Sequence, residues 1–182
     1  KNFVREALTS AESVKKYNPD LNITFFTDKM IESPYVDNVT LIKPTHHRSK
    51  IDFISQSPYD ETLFLDSDTI IAYDIGDIFR ILERHDFGIC HDLARKRQYI
   101  ANMIPEYAEI PYTFSEVNPG VMVFKKNENV NGFFRIWKEL FYKYKHIMPY
   151  EQPTFRTALW KSNVNLYILP VEYNIRSKSN RE

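Results

Sequence analysis

The sequence predicts an α/β protein, with helices layered on a mixed, mostly parallel sheet. Three observations carry that expectation. Short runs rich in β-branched and aromatic residues alternate with stretches of helical periodicity along the chain. One run, Thr62-Leu63-Phe64-Leu65, is apolar enough to read as a strand covered on both faces, the habit of parallel sheets. The length, 182 residues, fits one domain with a sizeable core, and no repeat, low-complexity tract or linker divides it.

Phe3 to Tyr17 places Phe3, Ala7, Leu8, Ala11 and Val14 at three- and four-residue spacings, which predicts an amphipathic helix stopped by Asn18-Pro19. Leu21 to Thr27 predicts a strand ending at Asp28, and Val39 to Lys43 a second one bounded by Asn38 and Pro44. A short helix is expected over Ser49 to Ser55, then a turn at Ser57-Pro58-Tyr59-Asp60. The Thr62–Leu65 strand puts Asp66 and Asp68 at its carboxyl end. Asp74 to Glu83 predicts a helix, Asp86 to Cys90 a strand, and Leu93 to Met103 a helix. Val117 to Phe124 predicts a strand interrupted by Pro119-Gly120. Val130 to Tyr144 gives the clearest helix, with Phe133, Phe134, Trp137, Leu140 and Phe141 on one stripe. Pro153 opens a helix through Trp160, and Asn165 to Leu169 is a last strand.

Composition excludes some functions. Lys plus Arg and Asp plus Glu each number 24, so no net field draws the chain to nucleic acid or an anionic membrane. The single cysteine, Cys90, has no internal partner, in keeping with a reducing compartment. No apolar run approaches the roughly 20 residues that span a bilayer, so the expectation is a soluble, cytoplasmic domain. The chain opens at Lys1 without Met, which reads as the middle of something longer.

Two carboxylates at i and i+2 of an extended chain lie on one side, so Asp66 and Asp68 can converge on one point if the strand runs through them. Close like charges disfavour ionisation unless a cation intervenes, and a hard divalent ion with oxygen ligands, Mg²⁺ or Mn²⁺, also bridges phosphate oxygens. The competing reading is that such acids only cap the turn after a strand, and the pair alone does not decide between them.

The whole string Ser57-Pro-Tyr-Asp-Glu-Thr-Leu-Phe-Leu-Asp-Ser-Asp-Thr-Ile-Ile71 resembles the Asp-x-Asp region of GT-A glycosyltransferases, the glycogenin-like nucleotide-diphospho-sugar transferases in particular. Three further segments agree in order: Asn118-Pro-Gly-Val-Met-Val-Phe124 with an Asn-x-Gly strand, Glu151-Gln152-Pro153 with an acidic-Gln pair, and Leu169-Pro170 through Tyr173-Asn174 with a Leu-Pro-x-x-Tyr-Asn segment. The resemblance covers residues 3 to 176. It implies a Rossmann-like three-layer α/β/α sandwich over residues 1–182, lacking its first strand and its C-terminal end. It also implies sugar transfer from a nucleotide-diphosphate sugar, UDP-linked by preference, to a hydroxyl acceptor.

By the same resemblance Asp66 and Asp68 are catalytic ligands of Mn²⁺ or Mg²⁺ and of the donor, Ser67 lies by the donor ribose or diphosphate, and Lys50 faces the donor. An ammonium there stabilises the departing diphosphate; a solvated lysine beside Arg48 is the alternative. Asn118 and Gly120 face substrate, Gly120 by close backbone approach and Asn118 by its amide, unless Pro119-Gly120 is only a β-bulge. Glu151, catalytic or binding, and Gln152 sit at the edge of the site, and Asn174 belongs to the substrate set.

Weaker candidates are His46-His47, read as surface histidines, and Arg95-Lys96-Arg97, read as a solvated helix face or an anion contact. Tyr112 and Tyr150, beside prolines, are the sugar-facing aromatics. Two other readings remain at this stage: a haloacid-dehalogenase-like phosphatase with Asp66 as nucleophile, and a catalytically inactive domain of the same fold.

Overall fold

The computed structural model describes residues 3–44, 46–92 and 96–176. Strands and helices alternate as expected. Helix α1 (Phe3–Tyr17) leads to strands β1 (Thr24–Thr27) and β2 (Asn38–Leu41), then to a short helix α2 (Lys50–Phe53) continued by a 3-10 turn over Ile54–Gln56. Strand β3 (Glu61–Leu65) precedes a 3-10 helix over Gly76–Glu83 and strand β4 (Phe87–His91). Two one-turn helices follow, α3 (Gln98–Ala101) and α4 (Pro105–Ala108), then β5 (Val117–Lys125), α5 (Glu128–Tyr144), α6 (Gln152–Lys161), β6 (Leu166–Leu169) and a 3-10 turn over Val171–Asn174.

The strands form a parallel pair, β1 with β2, and a four-stranded sheet in the order β3-β5-β4-β6. In that sheet β5 runs antiparallel to both β3 and β4, while β6 is parallel to β4. Three of its four strands therefore share one direction and β5 alone opposes them. The sheet is mixed, as expected.

The hydrophobic stripe of α5 forms most of the core: Phe133, Phe134, Trp137 and Phe141 are buried against Phe87, Phe124 and Phe155. The rings meet mainly edge to face, as between Trp137 and Phe155 at 4.8 Å between centroids. Asn127 caps α5 through its side-chain oxygen, which accepts from the Val130 N–H at 2.9 Å. Arg156 of α6 lies fully buried in this core.

Several elements differ from the sequence reading. The strand expected to be covered on both faces, β3, is only half-buried, because among the described residues it pairs on one side alone, with β5. The continuously buried strands are β4 and β5. The Asp74–Glu83 helix is a 3-10 helix from Gly76. The Leu93–Met103 helix is reduced to the single turn of α3, with residues 93–95 outside the described set. Helix α4, with Pro105 in its first turn, was not anticipated. No helix among the described residues is long and apolar enough to cross a membrane.

Candidate functional site

The carboxyl end of β3 opens onto a cavity of about 440 Å³. Strand β5 supplies one wall, and its geometry explains how. The register of β4 against β5 jumps from Ile89↔Met122 to Cys90↔Asn118. Residues 119–121 are thus looped out of the ladder on the β4 side while Val121 stays paired with Leu65 of β3. This bulge carries Pro119-Gly120 toward Asp66. The Asp66 N–H donates to the Gly120 carbonyl at 2.8 Å, and a Cβ built on Gly120 would lie 3.2 Å from Asp66 Oδ2 and 2.9 Å from Asn118 Oδ1. The bulge and the site are therefore one feature, and the chain that approaches the glycine is Asp66.

Lys50, the first residue of α2, reaches across the cavity. Its Nζ lies 3.0 Å from Asp66 Oδ1, 3.1 Å from the Pro119 carbonyl and 3.4 Å from Glu151 Oε1. The Phe64 ring lies 5.3 Å away. With its side chain 13 % exposed, this ammonium is held by three oxygens and is not a solvated surface lysine. Arg48 completes the chain of charge: its Nε lies 3.0 Å from Glu151 Oε2, and its guanidinium faces the exposed Tyr150 ring at 6.0 Å. Both Glu151 oxygens are thus paired with cations. Glu151 immediately precedes α6, where the positive end of the helix dipole also favours its charge.

Asp66 and Asp68 do not lie on one face of a continuing strand. Strand β3 stops at Leu65, and the chain turns at once, with the Thr69 N–H donating to the Asp66 carbonyl at 3.0 Å. In a turn the alternation of faces no longer holds. Asp66 lines the cavity; Asp68 is exposed, and neither it nor Ser67 is among the described lining residues.

Asn118 is largely engaged by protein partners. Its Oδ1 accepts from the Gly120 N–H at 3.0 Å and from Asn174 Nδ2 at 3.2 Å, and its Nδ2 donates to Asp92 Oδ2 at 3.0 Å. With both oxygen lone pairs used, one amide hydrogen remains for a ligand. Asn174 reaches the site through Asn118. Gln152 and Tyr150 line the cavity; exposed Tyr112 is not among the described lining residues. His46 bonds Asp52 at 3.0 Å and Tyr142 at 3.2 Å and packs on Phe141, a structural role. Arg95 lies outside the described residues.

The far end of the cavity holds Arg97 of the Arg95-Lys96-Arg97 run, which precedes α3 rather than lying on a helix face, and residues that sequence reading did not single out. Tyr107 donates a short hydrogen bond to Glu116, whose Oε1 lies 3.4 Å from Arg156 Nε. Burial raises the Glu116 carboxyl above its ordinary range, against the Tyr107 hydrogen bond and the Arg156 charge. Burial and Glu116 together push the Tyr107 hydroxyl up to about 12. Arg97 and Arg176 complete this end. The signal for Glu116 was in the sequence, since it stands two residues before Asn118 at the entry to β5.

Asp66 has one oxygen on Lys50 and a side chain 42 % exposed, and among the described residues no group of three His, Cys, Asp or Glu side chains gathers to enclose an ion. Such a set suits Mg²⁺ or Mn²⁺ arriving with phosphate oxygens and water, which need only one or two carboxylates from the protein.

No protein-family model and no curated protein sequence matches the chain. Solved structures do. A galactosyltransferase, LgtC, determined in complex with donor and acceptor sugar analogues, superposes with a TM-score of 0.63 at 17 % identity, covering 93 % of this chain and 70 % of that one. An active-site Gln-to-Glu mutant of LgtC gives a TM-score of 0.61 at the same identity and coverage. The chain has the GT-A fold of nucleotide-sugar transferases.

Proposed function

We propose that this chain transfers a glycosyl group from a nucleotide-diphosphate sugar, UDP-linked by preference, to a hydroxyl acceptor with Mn²⁺ or Mg²⁺ present. The observation that carries the reading is the contact of Lys50 with Asp66 and Glu151 in a cavity at the carboxyl end of β3. Ligands of α/β sheets bind at such ends, and a carboxylate beside an ammonium suits a diphosphate with its cation. The fold supports the same reading, since its solved neighbour LgtC is a galactosyltransferase bound to donor and acceptor sugar analogues.

In this scheme Asp66, with Asp68 from the adjoining turn, holds the metal ion, which supplies charge neutralisation for the diphosphate. Lys50 donates hydrogen bonds to the departing diphosphate, giving up part of its contact with Asp66. Glu151, fixed by Arg48, keeps the ammonium in place as that partner changes. Gln152 and the free Asn118 amide hydrogen orient sugar hydroxyls, and Tyr150 offers a ring face to the acceptor.

The test is nucleotide release from a panel of nucleotide sugars with Mn²⁺, for the natural sequence and for Asp66→Asn and Asp68→Asn. Metal-dependent UDP or GDP release lost in both variants supports the proposal. Phosphate release from simple phosphomonoesters through a phospho-aspartate at Asp66 replaces it with the phosphatase reading, and silence with every donor favours an inactive domain of this fold.

A further inference from the structure

The end of the cavity remote from Asp66 is built around guanidinium groups. Arg97 projects there from a backbone that is pinned twice. Its N–H donates to the Tyr107 hydroxyl at 3.2 Å, and the ammonium of the preceding Lys96 donates to the Ala108 carbonyl at 2.7 Å. Its Nη1 donates to the Tyr99 hydroxyl at 3.2 Å, and Tyr99, 49 % exposed, lines the same cavity. The nearby acids are already matched: Asp92 lies 3.0 Å from Arg176 and Glu116 lies 3.4 Å from Arg156. Among the described residues, Arg97, Arg156 and Arg176 thus face Asp92 and Glu116, leaving an excess of one positive charge at Arg97.

Position separates this charge from the diphosphate end. Glu116, just before β5, and Gly120 within it are four residues apart, at most about 13 Å at an extended rise and less with the bulge. A cation at the Asp66–Lys50 end meets the donor phosphates; one beside Glu116 meets what lies beyond the transferred sugar.

We propose that Arg97 and Tyr99 form an acceptor subsite for a saccharide carrying an anionic substituent, a carboxylate or a phosphate. This rests on the glycosyl-transfer reading and names its acceptor class. The planar guanidinium forks onto two oxygens of such a group, and the Tyr99 ring, its hydroxyl anchored by Arg97, presents a face on which a pyranose stacks. Preorganisation by the Lys96 and Tyr107 contacts lowers the ordering cost of binding.

The experiment is ligand-observed NMR titration of the full chain with glucuronate, glucose 6-phosphate and neutral glucose, for the natural sequence, Arg97→Gln and Tyr99→Ala. One charge-assisted hydrogen-bonded pair predicts about ten-fold or more tighter binding of an anionic sugar than of glucose. Arg97→Gln should remove that preference, and Tyr99→Ala should weaken all three sugars. A preference for glucuronate alone, for the phosphate alone or for both supports the subsite and says which anion it takes. Equal binding of charged and neutral sugars overturns it, as does a preference that survives Arg97→Gln, or competitive displacement of the anionic sugar by UDP. Nucleotide release, read on the same preparation, keeps the two proposals apart. Release without charge preference refutes this subsite alone, and charge preference without release refutes the transfer reading alone.

Discussion

Gly120→Ala separates the geometry of the site from the stability of the fold. No glycine among the described residues has a positive φ, so alanine meets no backbone strain at position 120. Its Cβ would stand 2.9 Å from Asn118 Oδ1 and 3.2 Å from Asp66 Oδ2, closer than carbon and oxygen tolerate without movement. Restricting the unfolded chain favours alanine by about 0.4–1 kcal/mol, while crowding of this kind costs about 1–3 kcal/mol. The net loss is then at most about 2.6 kcal/mol, which in a domain of this size moves Tm by about 10 °C or less. Asn118 Oδ1 must move most and the Asp66 carboxylate by a few tenths of an ångström; since a misplacement of about 1 Å costs about 100-fold in rate, this smaller shift should cost several-fold. Calorimetry and nucleotide release on one preparation test both halves. Activity within two-fold of the natural chain would refute the view that the glycine exists to admit Asp66, and a melting point lowered by more than about 15 °C would make it a structural glycine instead.

Lys50→Met strands two carboxylates that now share one ammonium. With Arg48 still on Glu151 the loss should be about 1–3 kcal/mol in urea unfolding, and a double-mutant cycle with Glu151→Gln should show coupling above about 0.5 kcal/mol; additivity would dissolve the link. Burial alone would raise the Glu106 carboxyl, but hydrogen bonds from Lys143 and Tyr144 outweigh it and hold the group down to about 2. A depressed acid stabilises the fold above its unfolded value near 4.5 and loses that contribution as pH falls toward 2. Unfolding midpoints measured between pH 5 and 2.5 should therefore fall less for Glu106→Gln than for the natural chain. The Cys90 thiol, buried and pushed up to about 12 by burial and by the Glu172 charge, should resist iodoacetamide at pH 8 in the folded chain and react once it unfolds; fast labelling of the native protein would contradict its burial.

Much of the fold was legible because its signals are local. The α5 stripe from Phe133 to Phe141 declares both a helix and its buried face, and Asn18-Pro19 stops α1 where the pattern ends. Short elements were harder. Gly76–Glu83 has helical spacing, yet the tighter 3-10 winding it adopts depends on packing against the sheet and leaves no mark in a spacing pattern. The half-burial of β3 is set by how many neighbours pair with it, which its own apolar residues do not encode. At the site, Asp66, Lys50, Asn118, Gly120, Glu151 and Gln152 were named from the sequence and meet around the cavity or its wall. Asp68 was placed by assuming that the strand continued past Leu65, and the turn there defeats that assumption. Arg156 escaped because its hydrogen bonds cross more than 40 positions, as with Ser115, and Tyr107 because its partners Glu116 and Arg97 stand nine and ten positions away, spacings that no helix or strand period marks.

The chain of charge from Arg48 through Glu151 and Lys50 to Asp66 also has a meaning in time. Arg48 and Glu151 stand 103 positions apart, and β4 meets β6 across nearly as long a stretch, with Phe87 opposite Leu166. Contacts of such separation form late, since the closure entropy of the intervening chain must be met before they return any stabilisation. Helical signal from α1 and α5 should thus recover early in refolding, while the Asp66 end of the cavity assembles only after residue 151 has joined the sheet and helices that precede it. A ribosome-bound chain shorter than that would carry the strand, the acids and the bulge, and still have no assembled site.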